Sequence, residues 1–452
     1  MNIKADFILS QINEGYLVGG SVRDAIMGKD FVDRDIAISN AETFAKKLAA
    51  KFNATFIELD PEYKIYRLVL EDKINYLDIS EIQGNNILED LTRRDFAMNA
   101  IAINLANGEI IDPYNGQEDI KNKIIRHIKD SNFEEDPLRL LRAFRFASTT
   151  GFELSKDTKL CIDKFKHLLF KPAKERINYE LMKLFGGKCS SKVLLLMDNF
   201  GILEEIFPQV IEMKKVPPNT HHHLDLFHHV VETVRNIEIL YLNSSEQEKT
   251  HLDSIDFGGF PRINHLKLAG FLHDIGKYST WTIEETGRHR FIKHDDVGAK
   301  MCIPYLREMK FSKKQIDYIS LMIKNHIYPS NVIDAPDLSE KVMMRYIRKM
   351  ESNVIDNIIL AKADRLSALG EAITDEIVNN NINGLNSLLT FYLEKRETLK
   401  PLPKLLDGVE IMQIKGIGQS PELGKIINAL KEAQISGDVN TKEEAIDFVK
   451  TL

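Results

Sequence analysis

The sequence has few of the features that mark membrane, secreted or fibrous proteins. No apolar run reaches the roughly 18 to 20 residues that a membrane-spanning helix needs. The beginning of the chain has no long apolar core followed by a small-residue cleavage site, so we expect no secretory signal. The three cysteines lie far apart without metal-ligand spacing, so we expect buried thiols in a reducing cytoplasm. Only 14 prolines, no repeats and no low-complexity linker exclude a disordered or collagen-like chain.

The length and the charge distribution suggest several domains and an anionic partner. A chain of 452 residues is too long for one compact core, which predicts two to four domains. The net charge is −7, yet residues 121–188 contain 16 Lys and Arg against 9 Asp and Glu. Such a basic segment suits a docked polyanion, although a solvated helical surface would have the same composition.

The hydrophobic pattern divides the chain into a mixed first part and a helical remainder. Up to about residue 112, short β-branched runs alternate with an amphipathic helix at "AETFAKKLAAKF". This pattern predicts an α/β or α+β head with five strands, at "YLVGG", "DRDIAIS", "ATFIELD", "YRLVLED" and "INYLDIS". From about residue 121 the strand signals end, and apolar residues recur at spacings of three and four, so we expect only helices there.

Two aspartates on one predicted strand form the first candidate site. Asp33 and Asp35 flank Arg34 in "VDRDIAIS", and residues i and i+2 of a strand point to the same face. Two carboxylates in that arrangement can share Mg²⁺ ions that activate a hydroxyl and neutralise phosphates. Asp78, in "INYLDIS", is the expected third carboxylate from a neighbouring strand. A D-x-D pair alone also occurs on ordinary exposed strands.

A glycine turn before the aspartates adds a phosphate-binding feature. In "VGGSVRD", Gly19 and Gly20 allow the backbone to approach a ligand closely, and the helix start near Ser21 adds its positive dipole end. Arg23 provides a forked cation for a triphosphate. A Gly-Gly turn alone is merely a turn, but combined with D-x-D at this distance it indicates a nucleotidyltransferase site.

The combined motif "LVGGSVRDAIMGK…VDRDIAI" resembles the first motif of the class II tRNA nucleotidyltransferases and their bacterial poly(A) polymerase relatives, in the polymerase beta superfamily. Further family motifs follow in order along nearly the whole chain. They are "LTRRDFAMNAIAI" at 91–103, "IIDPYNGQEDI" at 110–120, "EEDPLRLLRAFRFASTTGFEL" at 134–154, "KERINYELMKLF" at 174–185, and a tail from "LLDGVEIMQIKGIGQ" onward.

The resemblance implies which residues bind the nucleotide. The second motif implies that Arg94, Asp95 and Asn99 hold the triphosphate and the sugar. The fourth motif implies a protein template that selects the incoming base through Glu135, Asp136, Arg139, Arg142 and Arg145.

The spacing of these template residues suggests how they are arranged. On a continuous helix, Glu135, Arg139 and Arg142 would share one stripe, and Asp136 would pair with Arg139 three residues later. A carboxylate can accept from the exocyclic amine of cytosine or adenine, while an arginine donates to the ring acceptors. An ordinary surface ladder of ion pairs would show the same spacing.

One segment departs from the family pattern. Between "LDIS" and "LTRRD" the family usually has a longer, basic, flexible loop, which is linked to the switch toward adding adenosine. Here only "EIQGNNILED", at 81–90, intervenes, and it contains no Arg or Lys. A partial enzyme that adds only the two cytidines is therefore an alternative to full CCA addition.

The second half of the chain resembles the HD phosphohydrolase superfamily. The segments "HHHLDLFHHVVETV", "GFLHDIGK", "FIKHDDVGAK", "IKNHI" and "AKADRL" follow in order on predicted helices. The resemblance places His229, His273, Asp274 and Asp364 at the four metal positions. It adds His294 and His326 as accessory histidines, and Lys277 is the expected phosphate-binding residue. Imidazole and carboxylate ligands suit Mn, Ni, Fe or Mg.

These observations predict a polymerase-beta-like nucleotidyltransferase head at 1–125, a helical neck with the template at 126–200, a helical body with the HD site at 201–385, and a helical tail at 386–452. The expected activity is transfer of CMP and AMP from CTP and ATP to the 3′ end of tRNA, with Mg²⁺ in the head and a divalent metal in the HD site. We expect a cytoplasmic protein without a membrane partner.

Two other functions fit parts of the sequence. A poly(A) polymerase would use the same chemistry, but that relative commonly has a basic C-terminal extension, whereas this sequence ends "NTKEEAIDFVKTL". A phosphohydrolase that uses the head only to bind RNA ends would be favoured by a broken D-x-D or template motif, and neither is broken.

Overall fold

The computed structural model describes residues 6–31, 33–336, 338–397 and 402–452. The chain divides into two compact units, Met1–Leu203 and Glu204–Leu452. The finer division into head, neck, body and tail remains a prediction. Among the described residues, no helix is both long enough and apolar enough to cross a membrane.

The first unit contains a mixed sheet of seven strands in the order β3-β4-β5-β2-β1-β6-β7. Within it, β2 pairs with β5 in parallel, whereas the other neighbouring strands are antiparallel. The strands are β1 (Tyr16–Val18), β2 (Asp33–Ile38), β3 (Thr55–Asp60), β4 (Ile65–Val69), β5 (Tyr76–Glu81), β6 (Ala102–Asn104) and β7 (Ile110–Ile111).

Helices cover this sheet and form the rest of the first unit. They are α1 (Gly19–Ile26), α2 (Ala41–Phe52), α3 (Ile87–Thr92), α4 (Gly116–Asn122), α5 (Asp130–Glu135), α6 (Leu138–Thr150), α7 (Lys156–Phe165), α8 (Lys174–Phe185) and α9 (Ser190–Asn199). Helix α10 (Ile202–Ile206) spans the boundary between the units. One apolar cluster joins the sheet to α3, through Val18, Ala37 and Ala102 on strands and Ile87 and Leu91 on the helix.

The predicted α+β class is confirmed, but the expected number of strands was wrong. The five predicted strands are present, and β6 and β7 extend the sheet. Short strands also occur where only helices were expected, namely β8 (Ile124–Ile125), β9 (Glu153–Leu154), β10 (Trp281–Ile283) and β11 (His289–Phe291). These six strands are only two or three residues long, too short for alternation of apolar and polar residues to reveal them.

The second unit is almost entirely helical. Its helices are α11 (Gln209–Met213), α12 (Leu226–Leu242), α13 (Glu246–Leu252), α14 (Arg262–Leu272), α15 (Lys277–Thr280), α16 (His294–Glu308), α17 (Lys313–Lys324), α18 (Tyr328–Ile333), α19 (Glu340–Met350), α20 (Val354–Ser367), α21 (Asp375–Lys395), α22 (Gly408–Lys415), α23 (Pro421–Ser436) and α24 (Lys442–Thr451). Strands β10 and β11 form an antiparallel hairpin. A separate apolar cluster, with Ile411, Leu430 and Val449 among its members, packs the last three helices together.

Candidate functional site

The glycine turn lies directly against the aspartate strand. Gly19, the first residue of α1, has a φ of +70°, and a Cβ atom built there would lie 3.2 Å from Oδ2 of Asp35 and 3.1 Å from a guanidinium nitrogen of Arg94. The Ser21 hydroxyl holds the helix to the strand, because it donates to the Asp33 carbonyl at 2.9 Å and accepts the Asp35 N–H at 3.1 Å. A side chain at position 19 would thus both strain the backbone and crowd the carboxylate.

The two aspartates share one face of β2 as predicted. Asp33 is exposed and Asp35 is half-buried, while Arg34 between them is buried on the opposite face. Burial, the nearby Asp78 and Asp33 together raise the pKa of Asp35 to about 6, against the opposing charge of Arg94. A bound cation would relieve this accumulation of negative charge, and carboxylate oxygens suit Mg²⁺.

Asp78 is the register partner of Asp35 on the parallel strand β5. Both of its oxygens, however, accept hydrogen bonds from Arg67, at 2.7 Å each. Among the described residues, Asp78 does not join Asp33 and Asp35 in one group of three closely spaced metal-ligand atoms. The structure therefore places Asp78 beside Asp35 in an ion pair with Arg67, and its role as the third carboxylate stays a prediction.

Two residues that the sequence reasoning did not single out, Arg67 and Tyr76, lie beside these aspartates. Tyr76 pairs with Asp33 across the strands, and burial together with a hydrogen bond to the Asp33 carboxylate raises the pKa of Tyr76. The Arg67 guanidinium stacks 4.2 Å from the centre of the Tyr76 ring. Arg67 and Tyr76 lie on strands that looked purely structural, so no local signal marked them.

The glycine turn, the aspartates and the predicted nucleotide-binding residues line one cavity of about 990 Å³ in the first unit. The predicted residues that line it are Gly19, Gly20, Arg23, Asp33, Asp35, Arg94, Asp95, Asn99, Asp136, Arg139, Arg142 and Arg145. Glu135 and Asp78 are not among the lining residues. The structure thus brings most of the predicted set together around one space.

A series of polar contacts links residues that line this cavity. Arg23 donates to Oδ1 of Asn99 at 2.9 Å, and the Asn99 amide donates to Asp95 at 2.9 Å. Arg142 pairs with the other Asp95 oxygen at 2.6 Å. Although burial alone would raise it, the charge of Arg142 and the bond from Asn99 lower the pKa of Asp95 to about 2. Asp95 therefore remains a carboxylate that fixes the Asn99 amide and the Arg142 guanidinium.

The same series of polar contacts continues to Glu180 on helix α8. Glu180 is buried, accepts a hydrogen bond from Arg142 at 3.4 Å and forms an ion pair with Arg145 at 3.0 Å. Burial and the neighbouring Arg142 lower the pKa of Arg145 to about 10, although Glu180 opposes this shift. The Arg145 guanidinium also lies 3.9 Å from the centre of the Phe146 ring. Glu180 thus anchors two of the predicted template arginines.

The predicted template helix is broken, so the expected stripe was wrong. Helix α5 ends at Glu135, Asp136 is extended with φ −133° and ψ 91°, and α6 begins only after Pro137. Proline disfavours a helical conformation of the preceding residue, which explains the break. Glu135 is exposed at the end of α5 and does not share a helix with Arg139.

The expected pair of Asp136 with Arg139 was also wrong. Asp136 pairs instead with Arg176 of α8, at 3.0 Å. Arg139 donates to the backbone carbonyls of Asn132 and Arg93, at 2.8 and 2.7 Å. Both template side chains lie at the cavity, but each has a different partner from the one predicted.

Helix α8 contributes a polar stripe that the sequence reasoning quoted only as a motif. Arg176, Tyr179, Glu180 and Lys183 all line the cavity. Their spacing of three, four and seven places them on one helix face, whereas Ile177, Leu181, Met182 and Leu184 are buried. Polar residues recurring at helical spacing within "KERINYELMKLF" were the signal that marks them.

The short segment 81–90 has its own fixed structure. Only residues 82–86 connect β5 to α3. The Gln83 N–H donates to Asp90 at 3.1 Å, and Asn86 caps α3 by accepting the Glu89 N–H. Asp90 also pairs with Arg94, at 3.0 Å. This connection is therefore a compact, hydrogen-bonded turn beside Arg94, a predicted nucleotide-binding residue, and not an extended loop.

A second site, in the second unit, consists of histidines and aspartates. His229 of α12 has Nε2 at 3.2 Å from Asp274 and 3.1 Å from Asp364, and His273 has Nε2 at 3.2 and 3.4 Å from the same carboxylates. The accessory histidines His294 and His326 approach the other Asp274 oxygen, at 3.2 and 3.5 Å. All six predicted residues thus converge on one point.

The histidine rings are oriented as metal ligands. Nδ1 of His229, His273, His294 and His326 each faces a backbone carbonyl, which leaves Nε2 pointing into the cluster. Nε2 of His229 and of His273 and both Asp274 oxygens are buried without a hydrogen-bond partner among the described residues. Buried unsatisfied ligand atoms of this kind fit a divalent cation, which would satisfy them together.

Two further side chains border this cluster. Lys277 pairs with Oδ2 of Asp274 at 2.6 Å and contacts Nε2 of His222 at 3.2 Å. His222 belongs to a group with His229, Asp274 and Asp364 in which all ligand atoms lie within 4.8 Å of one another. Burial and the charge of Lys277 lower the pKa of His222 to about 2, so its ring is neutral. The consecutive histidines at 221–223 were the only sequence signal for it.

Known protein families match three parts of the chain in the order that these sites suggest. Residues 15–126 match the poly A polymerase head domain, residues 151–214 the probable RNA and SrmB-binding site of polymerase A, and residues 226–369 the HD domain. Along the chain, a match to a poly A polymerase head domain is therefore followed by a match to an HD domain.

Two relatives match along almost the whole chain. The chain is 28% identical to the CC-adding tRNA nucleotidyltransferase of Thermus thermophilus, with 98% of this chain and 95% of the relative covered. It is 29% identical to the A-adding tRNA nucleotidyltransferase of Deinococcus radiodurans, with 96% and 94% covered. The resemblance to the tRNA nucleotidyltransferases and poly(A) polymerases is thereby confirmed.

Solved structures show the same fold. A tRNA-processing enzyme in its apo form superimposes with a TM-score of 0.60 at 22% identity, over 96% of this chain and 98% of that one. A CCA-adding enzyme in complex with CTP gives a TM-score of 0.57 at 21% identity, with 100% of this chain and 96% of that chain covered.

Proposed function

We propose that the protein is a template-independent tRNA nucleotidyltransferase that transfers CMP and AMP from CTP and ATP to the 3′ end of tRNA. The observation that carries the proposal is the single cavity in which the Asp33 and Asp35 carboxylates face the glycine turn and the cluster of arginines. Two relatives that match along almost the whole chain are tRNA nucleotidyltransferases. The basic segment 121–188 provides charge for binding the tRNA.

Each group of residues in the cavity has a role in this proposal. Asp33 and Asp35 hold Mg²⁺, which when bound lowers the pKa of the attacking 3′-hydroxyl and neutralises phosphate charge. Gly19 and Gly20 present backbone N–H groups to the triphosphate, and Arg23 and Arg94 donate to its oxygens. Asp95 and Asn99 position the sugar.

The remaining residues of the cavity select and support the base. Asp136 and Arg139 read the base edge by accepting from and donating to it. Arg142 and Arg145, fixed by Asp95 and Glu180, support that surface. Asp78, paired with Arg67, contributes negative charge beside Asp35.

A direct experiment tests the proposal. Purified protein is incubated with tRNA that ends at its discriminator base, with CTP and ATP supplied singly and together, and the 3′ ends are sequenced. We expect CMP addition with CTP alone and extension to CCA when both nucleotides are present. Long A tracts with ATP would support a poly(A) polymerase instead, and no extension with any nucleotide would contradict the proposal.

A narrower activity, the addition of two CMP only, is favoured by one specific observation. Residues 82–86 form a compact turn where the family usually has a flexible loop. Relatives that match along the whole chain include a CC-adding enzyme. The same end-sequencing experiment distinguishes the two activities, because this enzyme would leave tRNA ending in CC even with ATP in excess.

We further propose that the second unit is a metal-dependent phosphohydrolase. His229, His273, Asp274 and Asp364 hold a divalent metal such as Mn, Ni, Fe or Mg, which when bound activates water for attack on a phosphoester. The buried, unsatisfied atoms of His229, His273 and Asp274 support this proposal. His294 and His326 lie near the other oxygen of Asp274, where they are available as additional ligands.

This second activity is tested separately from the first. Terminal phosphates and 2′,3′-cyclic phosphates are screened with each metal in turn, with the double variant His273→Ala/Asp274→Ala as the control. We expect release of phosphate or opening of the ring by the wild type, and by Asp33→Ala, but not by the control. If neither the wild type nor the control hydrolysed any of these phosphates with any metal, the phosphohydrolase proposal would be contradicted.

A further inference from the structure

A cavity of about 460 Å³ opens beside the histidine and aspartate cluster. It is lined by the polar residues His221, His222, Lys277, His289, Arg290, His294, His326, Asp364 and Arg365, and by the apolar residues Phe291, Ile292, Ile327 and Ala368. Asp364 is the only acidic residue among the described residues that line it. The lining therefore combines cationic and apolar groups, which suits an anion attached to an apolar body.

Arg365 differs from the other cations in this cavity. Lys277 pairs with Asp274 at 2.6 Å, and Arg290 pairs with Glu284 at 3.0 Å. Arg365, by contrast, forms no ion pair with any described residue, and its Nε is buried without a hydrogen-bond partner. A buried, unsatisfied donor on a charged side chain is costly unless a ligand satisfies it.

The position of Arg365 fits a role toward a phosphate at the metal. It follows Asp364 directly on α20, and both residues line the cavity. A guanidinium donates through a planar fork that matches two phosphate oxygens. A phosphate seated between the metal ligands and Arg365 would therefore satisfy the orphaned donor.

We propose that Arg365 is the phosphate-recognition residue of this cavity and that its substrate is a phosphomonoester of nucleotide size. The inference rests on the proposed phosphohydrolase and identifies its class of substrate. A phosphomonoester carries close to two negative charges at neutral pH, whereas a diester carries one, so a guanidinium beside a divalent metal favours the monoester. Phe291, Ile327 and Ala368 provide the apolar wall for the base or sugar.

The protein provides its own probe for binding. Trp281 is the only tryptophan of the chain, and it pairs with Phe291 across the hairpin of β10 and β11. Because Phe291 lines the cavity, the fluorescence of Trp281 should respond when a ligand enters. Full-length protein is titrated with adenosine 5′-monophosphate, with inorganic phosphate and with cyclic 3′,5′-adenosine monophosphate, once with Mg²⁺ and once with EDTA.

Variants then isolate the role of Arg365. We expect Arg365→Gln to weaken binding of adenosine 5′-monophosphate by about 10-fold or more, because a charge-assisted fork is lost. Arg365→Lys keeps the charge but loses the planar fork. Its affinity for adenosine 5′-monophosphate should lie between that of Arg365→Gln and that of the wild type. Arg235→Gln is the control, because Arg235 pairs with Glu232 at 2.9 Å and does not line the cavity. We expect its affinity to remain within about two-fold of wild type, which corresponds to less than about 0.5 kcal/mol.

The outcomes distinguish a failure of the proposed role of Arg365 from a failure of the phosphohydrolase proposal. Metal content is measured for every variant, so that loss of the metal is not mistaken for loss of the phosphate contact. A wild type that retains no metal contradicts the phosphohydrolase, while the titrations in EDTA still test Arg365. Equal affinity of wild type and Arg365→Gln for adenosine 5′-monophosphate would overturn the role of Arg365. Equal or tighter binding of the cyclic diester would overturn the monoester assignment.

Discussion

Gly19 and Asp35 lie so close together that a Cβ atom on residue 19 would come 3.2 Å from the Asp35 carboxylate. The φ of Gly19 is +70°, a conformation that residues with side chains rarely adopt. The glycine turn and the strand with Asp33 and Asp35 therefore form one structural unit, and the proposed chemistry depends on their contact.

The first prediction follows from this contact. Gly19→Ala should lower the rate of CMP addition by about 10-fold or more, because displacing a reacting group by a fraction of an ångström is costly in catalysis. The matched control is Gly28→Ala, since Gly28 has the same φ of +70° but no atom within 4 Å of its Cβ position. Both variants should lose roughly 1 kcal/mol of stability to backbone strain, and only the first should lose activity. Equal activity of the two variants would contradict the role of Gly19.

The raised pKa of Asp35 predicts a dependence of stability on pH. Because its pKa is about 6 in the folded protein, against an ordinary value of 3.8 for an aspartate, the folded state binds more protons between these values. The contribution of Asp35 to stability therefore falls as pH rises through this window. Without metal, Asp35→Asn should raise the free energy of unfolding at pH 8 by roughly 1 to 3 kcal/mol, and the gain should vanish near pH 4.

Chemical unfolding of both proteins in EDTA measures this difference. Added Mg²⁺ should stabilise the wild type more than Asp35→Asn, because the carboxylate is the expected ligand. A gain in stability that is the same at pH 4 and at pH 8 would show that the charge of Asp35 is not its cause.

The template prediction concerns the choice of base. Asp136→Ala or Arg139→Ala should lower the preference for CTP over UTP by about 10-fold or more, because contacts to base edges specify while phosphate contacts position. Glu135→Ala is the matched control, since Glu135 is exposed and does not line the cavity. Incorporation of each of the four nucleotides is measured under the same conditions. Unchanged rejection of UTP and GTP in both template variants would refute this assignment.

The compact turn at residues 82–86 predicts a slow third addition. Without a flexible loop to reshape the pocket for ATP, tRNA ending in CC should accumulate before any CCA appears at saturating CTP and ATP. A time course of sequenced 3′ ends measures the two species. Formation of CCA without a detectable CC intermediate would show that no longer loop is needed here.

Local sequence patterns predicted the parts of the sites that depend on spacing within one element. The same-face pair Asp33 and Asp35 follows from the period of a strand, and the structure has it. The glycine turn before the helix and the order of the histidines and aspartates in the second unit were likewise visible without a structure. In each case the chemistry is encoded by residue types at short, regular intervals.

Contacts between distant segments were not predictable in this way. Glu180 lies 38 residues from Arg142, and Arg67 lies 11 residues from Asp78 on another strand, so neither pairing has a local signal. The broken template helix is different, because Pro137 was visible in the sequence and should have ended the predicted stripe at Asp136. There a local steric rule outweighs the periodicity of the charged residues.

We propose that Asp33 and Asp35 catalyse nucleotide transfer to tRNA. The most direct measurement is incorporation of labelled CMP into tRNA ending at its discriminator base, by wild type, Asp33→Ala and Asp35→Ala, with tRNA affinity measured in parallel. We predict incorporation by the wild type, its loss in both variants and largely unchanged tRNA binding, because the variants remove metal ligands and leave the basic segment intact. Substantial CMP incorporation by either variant would contradict this claim.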